Sequence, residues 1–510
     1  MFAYMDIQFP FSPIFFSSGL LLFFVIIIVF KNFNSLDSNK NLPPQPWKLP
    51  LVGHIHHLLG APPHHALRNI ARKLGPIVRL QLGQVSAVVI SSPTLAKEIM
   101  KTHDISFASR SKLLNVEILS YNYKDIAFSP YGDYWRQTRK ICVLELLSAR
   151  KVQSFRSIRE QESWELVDSI TTQRLKTVNL SDKISTMVNT IITRLSVGSR
   201  CKDQAVLVAL IREAIHLSSG FDVSDLFPSV KVLPLVTGIS NKILNIHNKM
   251  DVILENIILE HRESHVNRAS HHANEEDLVD VLLRIKDEGG LEFPLSFDNI
   301  KAVILNMFIA GSDTSSVTTE WAMSELIKNP RVMKKTQDEL RRVLKGKTKI
   351  HESDIEELDY LKLVIKETLR LHPPLPFLVP RECREDCEIG GFHIPVKTKV
   401  LINTWMMGQD PDYWLDPQSF IPERFSESSV NMMGANFEYL PFGSGRRMCP
   451  AMLLGLANVE LPLAMLLYHF DWKLPHGQTY EDFDMFESFG ATLKRKNDLL
   501  LVPHPYNTKY

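Results

Sequence analysis

Residues 441–450 read Pro441-Phe442-Gly443-Ser444-Gly445-Arg446-Arg447-Met448-Cys449-Pro450, and this decapeptide sets how the rest of the chain is understood. Its glycines let the backbone turn tightly and approach a planar ligand, because they carry no Cβ. Cys449 stands directly before Pro450, a residue suited to the first position of a helix, and an apolar run follows from Ala451 to His469. Such a helix would aim its positive end at the sulfur. Together with Arg446 and Arg447 it would lower the thiol pKa and hold Cys449 as an anion. These parts are consistent with a thiolate held under a haem. A buried cysteine in a glycine-rich turn would explain neither the two arginines nor the helix start.

Other cofactor signals are incomplete. Gly346-Lys347-Thr348 ends like a phosphate loop, but the glycine required five residues earlier is Arg341. Gly443-Ser444-Gly445 starts like a dinucleotide fingerprint whose third glycine position is Met448. Cys383 and Cys387 lack a second pair to complete a zinc site. No His-Glu-x-x-His and no Gly-x-Ser-x-Gly is present. Further upstream, Glu367-Thr368-Leu369-Arg370 places Glu and Arg on one helical face, 79 residues before Cys449 by the position of Arg370. Pro422-Glu423-Arg424-Phe425 lies between the two motifs. In this order, and with a match running from the Pro-rich segment near residue 43 to Phe489-Gly490-Ala491-Thr492, the chain resembles the cytochromes P450. Within these haem-thiolate monooxygenases it is most similar to the membrane-anchored plant enzymes that oxidise terpenoids and phenolics. Ala451 departs from the pattern, which normally has Gly after Cys-Pro, and an added methyl there bears on haem packing.

The resemblance implies a mainly α fold with small β-sheets, the cytochrome P450 fold, carrying one N-terminal transmembrane helix. It implies haem b with Cys449 as the axial ligand of the iron, and Phe442 and Gly443 among the haem-binding residues. Trp135 and Arg139, at i and i+4 of a helix for which Asp133 is a plausible cap, match the propionate-binding helix, and Arg381 and Arg447 match the other propionate contacts. Arg136 and Lys140 remain for solvent or an acidic reductase. Glu367, Arg370 and Arg424 are implied to form a buried charge cluster bracing the haem-side core. The segment Ala310-Gly311-Ser312-Asp313-Thr314-Ser315 interrupts an apolar helix with glycine and small hydroxyl residues, costly by about 1 kcal/mol for Gly against Ala, so a local opening is expected. In the family that opening takes dioxygen and a water, with the matching Asp313 and Thr314 as proton relay.

The N-terminal segment reads independently of these motifs. No charge occurs from Ile7 to Phe30, 24 residues that as a helix span about 36 Å, enough to cross a bilayer. Lys31-Asn32-Phe33 follows where a cleaved signal peptide would need small residues. Asp6 before the run, and Lys31, Lys40 and Lys48 after it, leave the body in the cytosol by the positive-inside rule. The expected division is an anchor over 7–30, a polar and proline-rich hinge over 31–50 acting as a stiff spacer, and a catalytic domain over 51–510. Five cysteines do not make a secreted disulfide framework, and a formal net charge of +1 excludes broad electrostatic binding to nucleic acid. Helical periodicity predicts helices over 205–218, 241–261, 296–328 and 330–344, and strands over 77–82, 87–91, 387–394 and 399–403. The polar stretch 264–276, with His265, His271 and His272, reads as a solvated loop.

Since the chain holds no flavin or nicotinamide fingerprint, electrons would come from NADPH through a separate FAD/FMN reductase on the endoplasmic reticulum membrane, with cytochrome b5 and membrane lipid as further partners. On the segments that contact substrate in the family lie Leu113, Leu114, Val116, Ile118, Leu119, Phe308, Ile309, Ala310, Phe377, Leu378, Val379 and Ala491. Nearly all are hydrocarbon, so an apolar sesquiterpenoid or diterpenoid is expected. The alternatives are a haem-thiolate oxidase of phenylpropanoids or alkaloids, a reductase-independent haem-thiolate isomerase or dehydratase, and a non-enzymatic haem protein.

Overall fold

The central helix of the molecule shows how its sequence dictates its limits. Ser296 accepts from the Asn299 backbone while the Asn299 side chain accepts from Ser296, a reciprocal cap, and Asn329-Pro330 ends the helix 32 residues on. The computed structural model describes residues 41–506 except 174, 199–201, 218–222, 268–275, 348 and 476. The expected anchor over 7–30 and His271 and His272 lie outside the described residues. The helices that build the body are α1 (Pro63–Leu74), α2 (Leu114–Leu119), α3 (Asp133–Ile141), α4 (Arg156–Thr171), α5 (Leu180–Val197), α6 (Gln204–Leu217), α7 (Ile239–Asn267), α8 (Leu278–Glu288), α9 (Phe297–Lys328), α10 (Pro330–Val343), α11 (Asp359–Leu371) and α12 (Met452–His469). Helix α9 packs along α5, α11 and α12. Although α12 is long and apolar enough to cross a membrane, Leu461, Leu463, Ala464, Met465, Leu466 and Leu467 are fully buried, so it is the core helix of this body.

Strands β1 (Ile77–Leu82), β2 (Val85–Ile90), β7 (Lys399–Ile402) and β4 (Arg381–Glu382) form a sheet in that order, with β2 and β7 parallel and Val89 opposite Leu401. The expected strand over 387–394 is a hairpin, β5 (Cys387–Ile389) and β6 (Phe392–Ile394), turned at Gly390 and Gly391, both with positive φ. Strands β3 (Val178–Asn179), β8 (Phe470–Lys473) and β11 (Leu500–Pro505) form a second sheet, and β9 (Glu487–Phe489) pairs with β10 (Leu493–Arg495). These short strands carry too few residues for period-two alternation to register in sequence.

Several expectations change. The described part of the proline-rich segment is not a free spacer: Pro43 is buried, Arg79 donates to the Pro44 carbonyl at 2.8 Å, and His54 reaches the Pro46 carbonyl at 3.0 Å. Helix α7 overruns the expected loop as far as Asn267, which places His265 within it. Asp133 is the first residue of α3 and Gly132 occupies the cap, so Asp133 complements the positive end of the helix dipole and pairs with Arg136 instead of capping. The helix following the signature begins at Met452 with Ala451 as its cap, leaving Pro450 outside it.

Candidate active site: a cysteine-lined cavity, an arginine rim and an apolar chamber

The glycines of the signature fix the loop that carries Cys449. Gly443 and Gly445 have φ of +72° and +70°, and a Cβ on Gly445 would lie 2.2 Å from the Met100 carbonyl oxygen, so no other residue fits there. Cys449 donates its backbone N–H to the Phe442 carbonyl at 2.9 Å, closing the loop. A cavity of about 240 Å³ opens between this loop and α9, lined by Cys449, Phe442, Gly443, Ala310, Gly311 and Thr314 among others. Ala451 lines it with φ of −102°, a conformation open to any residue, so its methyl brings no backbone strain.

The charge state of the sulfur departs from expectation. Cys449 is exposed to the cavity, yet the protein packed around it pushes its thiol above the ordinary pKa, and the Ala451 N–H and the Arg139 guanidinium only partly oppose this. Arg446 does not serve the sulfur: its backbone N–H and guanidinium both go to Asp104, at 2.9 and 3.0 Å. Arg447 is spent on the Ala108 and Ser129 carbonyls, each at 2.6 Å. A positive metal centre beside the sulfur is what remains to hold it as thiolate.

Four guanidinium groups, Arg110, Arg139, Arg381 and Arg447, line this cavity. Arg381 pairs with Asp104 at 2.8 Å and donates to the Ser444 carbonyl, while Arg139 donates to the Met448 carbonyl at 2.7 Å. Arg110, absent from the sequence reading, donates to the Ala127 and Pro380 carbonyls at 3.0 and 2.9 Å. Burial, then mutual repulsion with Arg381 and Arg139, pushes Arg447 down to about 9, and burial with Arg447 and Arg381 pushes Arg110 well below its ordinary value. The carboxylates that offset this rim are Asp104, which also serves Arg446, and Asp125, whose own pKa burial raises. Backbone carbonyls supply dipoles but no charge, so the rim keeps an excess of buried positive charge. A planar cofactor bearing two carboxylates above a sulfur ligand fits both features, and haem has that form. Trp135 does not line the cavity. Its indole N–H donates to the Ile126 carbonyl at 3.0 Å, and its ring is the platform beneath Arg447 and Arg139, at 4.2 and 5.5 Å.

A second, mostly apolar cavity of about 280 Å³ shares Asn306, Ala310, Thr314, Leu378 and Val379 with the first. Of the expected contacts, Leu113, Val116, Leu119, Ile309, Ala310, Phe377, Leu378, Val379 and Ala491 line it. Leu114, Ile118 and Phe308 do not, and helical phase is the reason. Along α2 the cavity takes Val116 and Leu119, turning Leu114 and Ile118 away, and Ile118 packs on the main core. On α9 it takes Ala302, Leu305, Asn306, Ile309, Ala310 and Asp313, so Phe308 points into the helical core, 1% exposed. Neither Asn306 nor Lys399 was visible in the sequence, because only the tertiary fold selects which polar residue of an apolar helix or strand faces a cavity. The wall at β9 is held by Glu487, which accepts from His64 and His65 at 2.8 and 3.0 Å. His64 Nδ1 is buried without a partner, so a neutral imidazole bound to metal through Nε2 would strand its N–H, and the cluster is a hydrogen-bonded brace.

The expected opening in α9 is absent. The helix runs unbroken through 310–315, and Thr314 Oγ1 donates to the Ala310 carbonyl at 2.7 Å. Gly311 lies where α5 meets α9: a Cβ there would lie 2.8 Å from Ile192 Cδ1, the end of a side chain that would have to shift. Thr314 lines both cavities, whereas Asp313 lines only the apolar one, where it accepts from the Thr492 hydroxyl and lies 3.6 Å from Lys494 Nζ. Glu367, Arg370 and Arg424 come together as one cluster. Arg370 grips Glu367 through two bonds of 2.7 Å, and Arg424 adds one of 2.9 Å. Both arginines also donate to the Ser419 carbonyl, tying the loop over 408–425 to α11.

Residues 43–502 match the family model described as Cytochrome P450. The chain is 54% identical over 487 residues to a premnaspirodiene oxygenase of Hyoscyamus muticus, covering 95% of this chain and 97% of that one. It is 52% identical over 493 residues to a germacrene A hydroxylase of Barnadesia spinosa, at 96% and 98% coverage. A desmethyl-deoxy-podophyllotoxin synthase of Sinopodophyllum hexandrum is 53% identical over 489 residues, at 96% coverage of each. The fold matches a zebrafish cytochrome P450 solved with progesterone, with a TM-score of 0.75 and 24% identity, covering 88% of this chain and 100% of that one.

Proposed function

The chain belongs to the cytochrome P450 family and is a monooxygenase that takes electrons from NADPH through a reductase, and from that premise we propose that it oxidises an apolar terpenoid, a sesquiterpenoid or diterpenoid, in the chamber above Cys449. The observation that carries the substrate class is the lining: Leu113, Val116, Leu119, Ile309, Phe377 and Leu401 surround a space that adjoins the cysteine cavity through Ala310 and Thr314. Such walls reward buried hydrocarbon at about 25 cal/mol per Å², and polar side chains such as Asn306 and Lys399 interrupt them only at isolated positions. Recombinant microsomes with reductase and NADPH, given sesquiterpenes, diterpenes and phenylpropanoids, are expected to oxidise terpenes. Turnover of phenylpropanoids alone, or product formed without NADPH, would overturn the reading.

When bound, haem supplies one-electron and dioxygen chemistry, and the strongly donating thiolate of Cys449 favours cleavage of the oxygen–oxygen bond. The remaining roles belong to the chain. Arg110, Arg139, Arg381 and Arg447 would hold the propionates and so orient the cofactor, with Phe442 and Gly443 beside it in the same lining. The Ala451 N–H stays on the sulfur and tempers its charge. Apolar side chains exclude bulk water, and Thr314 offers its hydroxyl where the two cavities meet. Asp313, joined to Thr492 and close to half-exposed Lys494, connects that hydroxyl's surroundings to solvent. Thr314→Ala is expected to leave haem uptake intact while lowering product formed per NADPH consumed, since proton delivery and not binding is disturbed. Equal coupling and rate in the variant would remove Thr314 from the relay.

The remaining assignments concern place and partners. A single anchor over 7–30 holds the body on the cytosolic face of the endoplasmic reticulum, where membrane lipid, the reductase and cytochrome b5 are its neighbours. Arg136 and Lys140 lie exposed on α3 beside the arginine rim, in position to meet an acidic partner. Deleting residues 1–41 is expected to release the protein from carbonate-washed membranes with haem still bound. Retention after that wash would mean a further membrane-inserted segment.

A further inference from the structure

We propose that Lys399 receives a hydroxyl or carbonyl oxygen of the substrate at the end of the apolar cavity away from Cys449, so that the molecule oxidised here already carries one oxygen function. The proposal deepens the terpenoid reading and rests on it for the skeleton. It starts from strand geometry. In β7 the side chains alternate, so that Lys399 and Leu401 face the cavity while Val400 and Ile402 pack into the core on the opposite face. Pairing with Ala87 on one side and Glu382 on the other fixes the Lys399 backbone in the sheet interior.

A lysine in such a place normally reaches water or pairs with a carboxylate. Among the described residues, none makes a hydrogen bond or ion pair with Lys399. Burial lowers its pKa, and Asp225 and Glu382 act on it only through space. Asp225 Oδ1 is occupied by the Leu114 N–H at 2.9 Å. The Ser111 hydroxyl also lines the cavity, and the acceptor beside it is the Glu382 carboxylate. Lys399 therefore faces a mostly hydrocarbon lining with donors to spare, at a desolvation cost that a ligand oxygen would reduce. Because two carboxylates already offset the ammonium, a neutral acceptor suits the place better than a further anion. Lys399 and Leu401 line only the outer cavity, whereas Thr314 and Ala310 border both, so the anchored oxygen lies outside the cysteine cavity and the oxidised carbon is a different atom of the same molecule. The reaction that supplies such a substrate is an earlier oxygenation, or water capture during cyclisation, on the same skeleton.

The test uses the full-length holoenzyme in membranes and a matched series sharing one sesquiterpene skeleton: hydrocarbon, alcohol, ketone and carboxylic acid. Dissociation constants are read from the substrate-induced shift of the haem absorption band. Alcohol and ketone are expected to bind wild type about tenfold tighter than the hydrocarbon, a ratio that Lys399→Met and Lys399→Gln bring close to one and that Lys399→Arg largely keeps. The reduced carbon-monoxide spectrum of each variant verifies that the haem site is intact. A preference that survives in both neutral variants, no preference in wild type, or a Lys399 dependence confined to the acid would each overturn the assignment. A phenylpropanoid alcohol and its deoxy counterpart are measured alongside. Should only that pair bind, the terpenoid reading falls, while the Lys399 dependence is still read from the pair and decides the proposal.

Discussion

Cys449→Ser is expected to abolish the reduced carbon-monoxide band of thiolate-ligated haem and all monooxygenase turnover. A serine hydroxyl keeps the shape of the side chain but is far less acidic than a thiol, so the strong anionic donor is lost. The surroundings of the sulfur sharpen this expectation. The protein around the sulfur disfavours the anion, and the Ala451 N–H and Arg139 oppose it only in part. An alkoxide there would need far more help than these two groups give. An unchanged band in the variant would mean that another residue ligates the iron, and the cavity geometry would need a different centre.

The second large effect is expected at Glu367. Its carboxylate is fully buried and accepts from Arg370 twice, from Arg424, and from the Ile421 backbone N–H at 2.8 Å. Glu367→Gln keeps the shape but leaves Arg370, itself 1% exposed, and Arg424 without the counter-charge that justified burying them. Stranding such charges costs about 3–5 kcal/mol, a large part of the stability of an ordinary domain. The measurable result is a steep fall in the yield of folded, haem-bearing protein and a lower midpoint of thermal unfolding. Glu367→Leu combined with Arg370→Met is expected to cost less than the sum of the single changes, because no orphaned charge remains between those two positions. A midpoint equal to wild type in Glu367→Gln would show that the cluster does not brace the loop over 408–425.

The relation between sequence and structure differs from one element to the next. Ordered local motifs carried the family: the loop before Cys449 depends on glycines whose positive φ and close backbone contacts leave no alternative, and the Glu367 and Arg370 pair lies on one helical turn. Long helices such as α9 were legible to within a few residues because a proline-free, mostly apolar run lies between a reciprocal cap at Ser296 and Pro330. The same local reasoning misassigned Pro450 and Asp133, since a cap is chosen by where the incoming chain can turn, and that depends on what it packs against. It also attributed Gly311 to an opening of the helix, which runs unbroken there and meets Ile192 of a different helix.

What only the tertiary structure decided is which side chains meet a shared space. Phe308 and Ile309 are neighbours of similar character in the sequence, yet one is core and the other wall, because successive residues on a helix point about 100° apart and the packing of α9 on α5 and α12 fixes the phase. Arg110 joined the rim beside the Ser109–Glu382 bridge, and Lys399 turned toward the apolar chamber from β7, because tertiary packing sets which face of a segment meets a cavity. The sequence by itself therefore determined the chemistry, which depends on local motifs that must hold one sulfur and one ring. The specificity of the chamber was left to tertiary structure, because a cavity wall is a sum of faces drawn from separate elements and no single segment encodes their registration.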